Sequence, residues 1–293
     1  MNAADEEKNI EGLIKLDFMK MLDGFPVRES VDEKVIRELQ SMSLPSNAVI
    51  VAGYPKTGSH FLLQILGQLN FRRLYDIGDG DAKCTSLPLE FQKFAALETM
   101  RDAVCDAPKT NFVFNHSHAY PDHLPKNAKV LYISRDIRAV AVSGFHFFGS
   151  MEKYKIMFDH YNIKNVDDYA KIVFQGKSSY GNMFRYDALW REAAAASSGR
   201  IHCVTFEGLK TELKKNVVEI VDFLGLENVD IDKVVEGSKF KSHDKDFNEA
   251  AKITDTDSKS EKIVKRKGET DSWKRELSEV SWKLYAQLFP NRD

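Results

Sequence analysis

Ala48-Val-Ile-Val-Ala52, followed by Gly53-Tyr-Pro-Lys-Thr-Gly-Ser59 and then Phe61-Leu-Leu-Gln-Ile-Leu-Gly-Gln-Leu69, decides the fold class. The uninterrupted apolar run suits a strand buried on both faces, the middle stretch is turn-prone, and the last has helix length. Strand, glycine-bearing loop and helix together open a parallel α/β sheet. The pattern returns at Phe112-Val-Phe114 and at Lys129-Val-Leu-Tyr-Ile133, the second followed by a helix over about Ile137 to Phe147. Ile201-His-Cys-Val-Thr-Phe206 reads as a further strand, then a helix from Glu207 to Leu224 ended by Gly225. The expected fold is therefore α/β, a single-domain parallel sheet flanked by helices, with a P-loop-like phosphate-binding loop.

Outward from this core, residues 1–45 read as an N-terminal segment of two short helices joined by Gly24-Phe25-Pro26, packed on a domain of residues 46–293. Lys239 to Lys267 is polar and poor in apolar periodicity, so it reads as a long loop. Trp273 to Phe289 has the pattern of a last amphipathic helix.

The 293 residues are 43% hydrophobic and 29% charged, ordinary values for a globular chain. With 42 Lys and Arg against 44 Asp and Glu, the net charge is −2, which removes any global electrostatic case for nucleic acid. Cys84, Cys105 and Cys203 are too few and too scattered for a disulfide framework or a four-thiolate zinc site. The first residues are acidic where a secretory signal would be basic and then apolar. No apolar run approaches the ~20 residues that span a bilayer. The expectation is a cytoplasmic protein with neither membrane nor nucleic acid as partner.

A loop rich in backbone N–H groups at a helix N-terminus binds anions, because unpaired donors and the helix dipole both point outward. Gly53 and Gly58 have the Walker A spacing, but Ser59 stands where the lysine should be, and the lysine is Lys56. An NTPase reading therefore fails on the decisive residue, while a plain tight turn leaves the convergence of Lys, Thr, Ser and Gly unexplained.

Tyr54-Pro-Lys-Thr-Gly-Ser-His-Phe61 resembles the 5′-phosphosulfate loop of the cytosolic sulfotransferases, Tyr-Pro-Lys-Ser-Gly-Thr-Thr-Trp. Arg135-Asp-Ile-Arg-Ala-Val-Ala-Val-Ser143-Gly-Phe-His-Phe147 resembles the family's 3′-phosphate segment, with Arg135 and Ser143 on the phosphate-binding positions. An Arg at a strand end and a Ser two helical turns on can both reach one phosphate, the Arg bidentately. Arg266-Lys267-Gly268-Glu-Thr-Asp-Ser-Trp273-Lys274 resembles the family's Arg-Lys-Gly-x-x-Gly-Asp-Trp-Lys. The three motifs occur in the family's order across nearly the whole chain.

The resemblance implies 3′-phosphoadenosine 5′-phosphosulfate (PAPS) as donor, 3′-phosphoadenosine 5′-phosphate (PAP) as product and no metal. Carried over position by position, the nucleotide site comprises Lys56, Thr57, Gly58, Ser59, His60, Phe61, Arg135, Ser143, Phe206, Ser238, Phe240, Arg266, Lys267 and Gly268. Phe61 stands for the Trp of the adenine clamp, Phe206 for a Tyr and Ser238 for a Thr.

The implied reaction is an in-line displacement in which a base takes the acceptor proton and donors stabilise charge on the leaving oxygen. The resemblance assigns catalysis to Lys56, His118 and Ser143, with Lys56 on the leaving group. The base lies in Phe114-Asn-His-Ser-His-Ala-Tyr-Pro-Asp-His-Leu-Pro125; alignment of Leu124-Pro125 with the second Leu-Pro, which follows the family's Lys-Thr-His-Leu-Pro, puts it at His118. His116 replaces the family's lysine, so a second cation exists there only if His116 is protonated. His116, His118 and His123 also raise a metal reading, in which Asp122 is the one obvious additional ligand in sequence.

The acceptor is expected to be a small molecule bearing a hydroxyl or amine, and Phe25, Tyr120, Phe145, Phe147 and Phe148 suit an apolar one. A homodimer is possible, but the family's C-terminal dimer motif is degraded at Lys274, Ser278, Glu279 and Lys283. The competing functions are a small-molecule or nucleotide kinase on a related fold and a catalytically silent nucleotide-binding protein.

Overall fold

Ala48–Ala52 is the central strand of a five-stranded, all-parallel sheet, and each of its five residues is buried. The computed structural model describes residues 2–75, 77–85, 87–239 and 269–290. The chain begins α1 (Ala3–Lys15), β1 (Met19–Leu22), β2 (Phe25–Arg28), α2 (Glu33–Ser41), β3 (Ala48–Ala52), α3 (Ser59–Gln68) and β4 (Arg72–Arg73). It continues α4 (Phe94–Asp106), β5 (Phe112–Ser117), β6 (Lys129–Ser134), α5 (Ile137–Phe148), α6 (Lys155–His160), α7 (Val166–Phe174) and α8 (Met183–Ala196). Then follow β7 (Ile201–Thr205), α9 (Phe206–Thr211), α10 (Leu213–Leu224), α11 (Ile231–Ser238), α12 (Trp273–Glu276) and α13 (Glu279–Leu288).

The described residues fall into two compact units, each built from separate stretches of chain: 31–134 with 187–239, and 2–30 with 135–186 and 269–290. The first unit holds the sheet, in the order β4-β5-β3-β6-β7. Period-two alternation divides its side chains. Val49, Val51, Leu131, Ile133 and Val204 pack with Phe61, Leu62 and Ile65 of α3 and with Val217 and Ile220 of α10. Tyr132, between Leu131 and Ile133, stacks on Trp190 at 5.1 Å and donates to Asp187 Oδ1 at 2.9 Å. Parallel strands buried on both faces explain why the sequence shows unbroken apolar runs rather than alternation.

In the other unit, the segment expected as a plain helix–helix link carries a β-hairpin, β1 with β2, in register Met19↔Arg28 to Leu22↔Phe25. Asp23 and Gly24 have φ of 52° and 77°, the left-handed pair that a two-residue hairpin turn requires. The Asp-Gly pair was the signal, obscured by strands of only four residues. Two expected helices are each broken. Glu207 to Leu224 divides at Glu212, where φ is −129° and ψ 44°, and Gly225 ends it in the left-handed conformation as expected. Trp273 to Phe289 divides at Leu277-Ser278, because Asp167 Oδ1 accepts from the Ser278 amide at 2.9 Å and from the Ser281 hydroxyl at 2.5 Å. An acceptor more than a hundred residues away starts that last helix.

Glu6 is fully buried in the same unit, accepting from the Asn182 amide at 2.7 Å and from the Arg185 guanidinium. Removing one partner of a buried pair strands the other charge, at a cost of about 3–5 kcal/mol. Glu6→Ala should therefore lower the unfolding free energy measured in urea by about 3 kcal/mol, whereas Glu11→Ala, whose exposed pair with Lys15 is solvated, should leave it unchanged.

Candidate active site

The loop after β3 is closed on itself. Thr57 donates twice to the Tyr54 carbonyl, from its amide at 3.2 Å and its hydroxyl at 2.6 Å. A methyl group at Gly53 would stand 2.7 Å from both the Ile133 carbonyl oxygen and Thr57 Oγ1. Gly58 has φ of 110°, and a methyl there would meet the Phe206 ring at 2.5 Å. Lys56 has φ of 72°, a strained conformation for a residue with a Cβ, of the kind concentrated at functional sites. No side chain caps α3 at Gly58, and the Phe61 amide already donates to the Gly58 carbonyl at 2.9 Å, so the positive end of the helix dipole and the amides ahead of Phe61 are what the helix start offers an anion. Ser59 is buried at that start and His60 is half-buried. Buried Phe61 meets Phe206 edge-on at 6.1 Å.

The end of β5 lies alongside. Its pairing with β3 is irregular between Val49 and Val51, and Asn115 adopts φ of 72°. The Asn115 amide group donates to the carbonyls of Thr85 at 3.0 Å and Leu87 at 2.7 Å, while its oxygen accepts from the His116 amide at 3.0 Å. This bulge re-aims the residues that follow. His118 Nδ1 lies 2.7 Å from the Gly53 carbonyl. A carbonyl only accepts, so Nδ1 is assigned the proton and Nε2 keeps the lone pair. Burial pushes the His118 pKa down to about 4, against the Gly53 hydrogen bond and with help from the Lys56 ammonium. At neutral pH the imidazole is a neutral acceptor.

His116 stands between two other imidazoles, 5.2 Å from His60 and 5.4 Å from His118 between ring centroids. Burial, reinforced by His60, His118 and Arg73, holds its pKa well below the ordinary value. His116 is therefore neutral, and the conditional second cation at the family's lysine position is not supplied by it. His123 is buried and meets Tyr120 edge-on at 6.1 Å. Among the described residues no group of three or more His, Cys, Asp or Glu is arranged to hold a metal ion.

Glu90 was not foreseen. It is 5% exposed, accepts from Ser117 Oγ at 2.7 Å and from the His118 amide at 3.0 Å, and burial pushes its pKa up to about 7. Nothing in Pro88-Leu-Glu-Phe91 marks it, because the residues it serves lie 27 and 28 positions later. Ser238 ends α11 fully buried, and its hydroxyl has no hydrogen-bond partner among the described residues.

In the other unit, Arg135 donates through Nη2 to the Glu269 carbonyl at 2.8 Å, and Ser143 is half-buried on α5. Asp136 caps α5 through the Arg138 amide at 2.7 Å, and the Arg138 guanidinium lies 3.9 Å from the centroid of the Trp273 ring. These contacts place the residues flanking the C-terminal motif, while Phe240, Arg266, Lys267 and Gly268 themselves lie outside the described residues. Of the aromatics expected to line an acceptor pocket, Phe25, Tyr120 and Phe148 are buried. Phe148 packs on Tyr154 at 4.4 Å and Phe145 on Phe158 at 6.2 Å.

Residues 46–289 match the sulfotransferase domain family. Mouse sulfotransferase 6B1 is 25% identical over 259 residues, covering 87% of this chain and 79% of the relative. Sulfotransferase 2A1 of Macaca fascicularis is 26% identical over 275 residues, covering 91% and 88%. Among solved structures, mouse sulfotransferase SULT7A1 complexed with PAP superposes with a TM-score of 0.68 at 19% identity, covering 93% of this chain and 92% of that one. Retinol dehydratase in complex with androsterone and PAP superposes at 0.65 and 18%, covering 98% and 93%. By its three motifs, its parallel sheet and this match, the chain belongs to the sulfotransferase domain family.

Proposed function

We propose that this chain transfers a sulfuryl group from PAPS to the hydroxyl or amine of a small, apolar acceptor, with His118 as general base. The observation that carries this reading is His118 itself: its Nδ1 is held by the carbonyl of Gly53, and Lys56 of the same loop is close enough to depress its pKa. A neutral imidazole with a fixed tautomer is a base ready at neutral pH.

When bound, PAPS supplies the sulfuryl group and a nucleotide leaving group. The uncapped start of α3 and the Lys56 ammonium suit its 5′ end, and the orphaned Ser238 hydroxyl suits a ligand oxygen. Arg135 and Ser143 are the residues proposed for the 3′-phosphate, with Arg266, Lys267 and Gly268. His118 Nε2 removes the acceptor proton as the acceptor atom bonds to sulfur. Lys56 stabilises the charge gathering on the departing phosphate oxygen as its bond to sulfur breaks. The PAP named in the solved sulfotransferase and retinol dehydratase structures supports this choice of nucleotide over ATP. So does Ser59, buried at the start of α3 where a kinase would need its lysine.

PAP should raise the melting temperature where AMP and Mg-ATP do not, and Arg135→Ala should lose that shift; a preference for Mg-ATP would replace the reading with a kinase. His118→Ala should lower turnover of PAPS with 4-nitrophenol, a steroid alcohol or a primary amine at least ~100-fold while keeping the PAP shift. Unchanged turnover would remove His118 as the base. In ¹⁵N-histidine NMR, the His118 ring should stay neutral and protonated on Nδ1 from about pH 5.5 to about pH 8, a range in which an ordinary histidine titrates.

A further inference from the structure

Glu90 is a buried carboxylate with an unusual set of partners. It lies in a single tight turn, Leu89–Phe91, and its hydrogen-bond partners include two groups from consecutive residues of the segment that carries His118. Oε2 takes the Ser117 hydroxyl and Oε1 takes the His118 amide, while Ser117 Oγ in turn accepts from the Ala119 amide at 3.0 Å. One carboxylate thus holds residues 117, 118 and 119 in place. No Lys or Arg forms an ion pair with it among the described residues. A carboxylate removed from water without a cation costs stability, so a role in folding alone would be served better by a neutral acceptor.

The turn that carries Glu90 is itself tied to the same strand. Gln92 accepts from the Thr85 amide at 3.1 Å and donates to the Thr85 and Leu87 carbonyls at 3.0 and 2.6 Å. Asn115 donates to those same two carbonyls. The backbone of His118 is therefore held by Glu90 and its ring by Gly53. A general base must stand within about 2.6–3.2 Å of the proton it takes, and a shift of about 1 Å can cost ~100-fold in rate.

We infer that Glu90 is a positioning residue for this reaction, setting the backbone of His118 so that Nε2 meets the acceptor proton. The inference rests on the reading of His118 as the base. Glu90→Gln keeps the volume but turns an amide N–H₂ toward one of two donors. With its oxygen kept on the His118 amide, the new N–H₂ falls on Ser117 Oγ, which then loses the acceptor for its own proton and must share its lone pairs with the Ala119 amide, disturbing the segment that carries His118.

The test is a double-mutant cycle of Glu90→Gln and His118→Ala, with PAPS and the best acceptor among 4-nitrophenol, a steroid alcohol and a primary amine. Glu90→Gln should lower kcat ~10- to 100-fold, with acceptor KM within about twofold and the PAP-induced melting shift unchanged. It should also displace the His118 ring resonances in ¹⁵N-histidine NMR of the acceptor-free protein. In the His118→Ala background it should have no further effect, because it acts through that side chain. Glu90→Asp, which keeps two acceptors on a shorter stem, should recover part of the loss. Unchanged kcat and unchanged His118 resonances in Glu90→Gln overturn the inference while the base reading stands. Loss of PAP binding in step with melting temperature overturns it in favour of a purely structural role. An equal effect in both backgrounds places the action of Glu90 elsewhere and overturns it too. Full turnover in His118→Ala alone removes the base reading, and this inference with it.

Discussion

The hydrogen bond from His118 Nδ1 to the carbonyl of Gly53 joins the two elements on which the proposed chemistry depends. It selects the tautomer, orients the ring and ties the end of β5 to the loop after β3. The sheet makes the bond possible. β3 and β5 are adjacent and parallel, so their C-terminal ends arrive side by side, and the Gly53 amide donates to the Ser117 carbonyl at 3.1 Å beside it. Loops at the C-terminal ends of parallel strands are where α/β folds place their ligands.

This arrangement is held against local preference. Lys56 and Asn115 both adopt left-handed backbone conformations, each of order 1–3 kcal/mol for a residue with a side chain. Side-chain hydrogen bonds offset the strain at Asn115, whose amide satisfies Thr85, Leu87 and the next residue's N–H together. Buried polar networks of this kind are stabilising only when their members are satisfied, and they then specify one geometry. The same burial that makes the network rigid holds His118 and His116 neutral and pushes the Glu90 pKa upward. Positive charge beside the histidines comes from Lys56 and Arg73, both of which depress neighbouring imidazoles.

Much of the fold was legible because the pattern of a buried parallel strand is local. Ala48–Ala52 is apolar throughout and Lys129–Ser134 over residues 130–133, Ile201–Thr205 is β-branched at three of its five positions, and Gly225 ends a helix by its own conformational freedom. The glycine-bearing loop between β3 and α3 was legible from its own residues, and Gly53 and Gly58 occupy positions in it where a Cβ would collide. The hairpin at Asp23-Gly24 was missed despite a local signal, while the break before α13 depends on Asp167, far away in sequence.

By itself, then, the sequence determined the α/β class, the loop that carries Lys56 and the candidacy of His118, all of which depend on residues within a few positions of one another. The tautomer and charge of His118, the neutrality of His116 and the recruitment of Glu90 were decided only by the tertiary structure. The physical reason is that protonation and orientation follow from burial and from hydrogen-bond partners 28 to 65 residues away, which no run of neighbouring residues encodes.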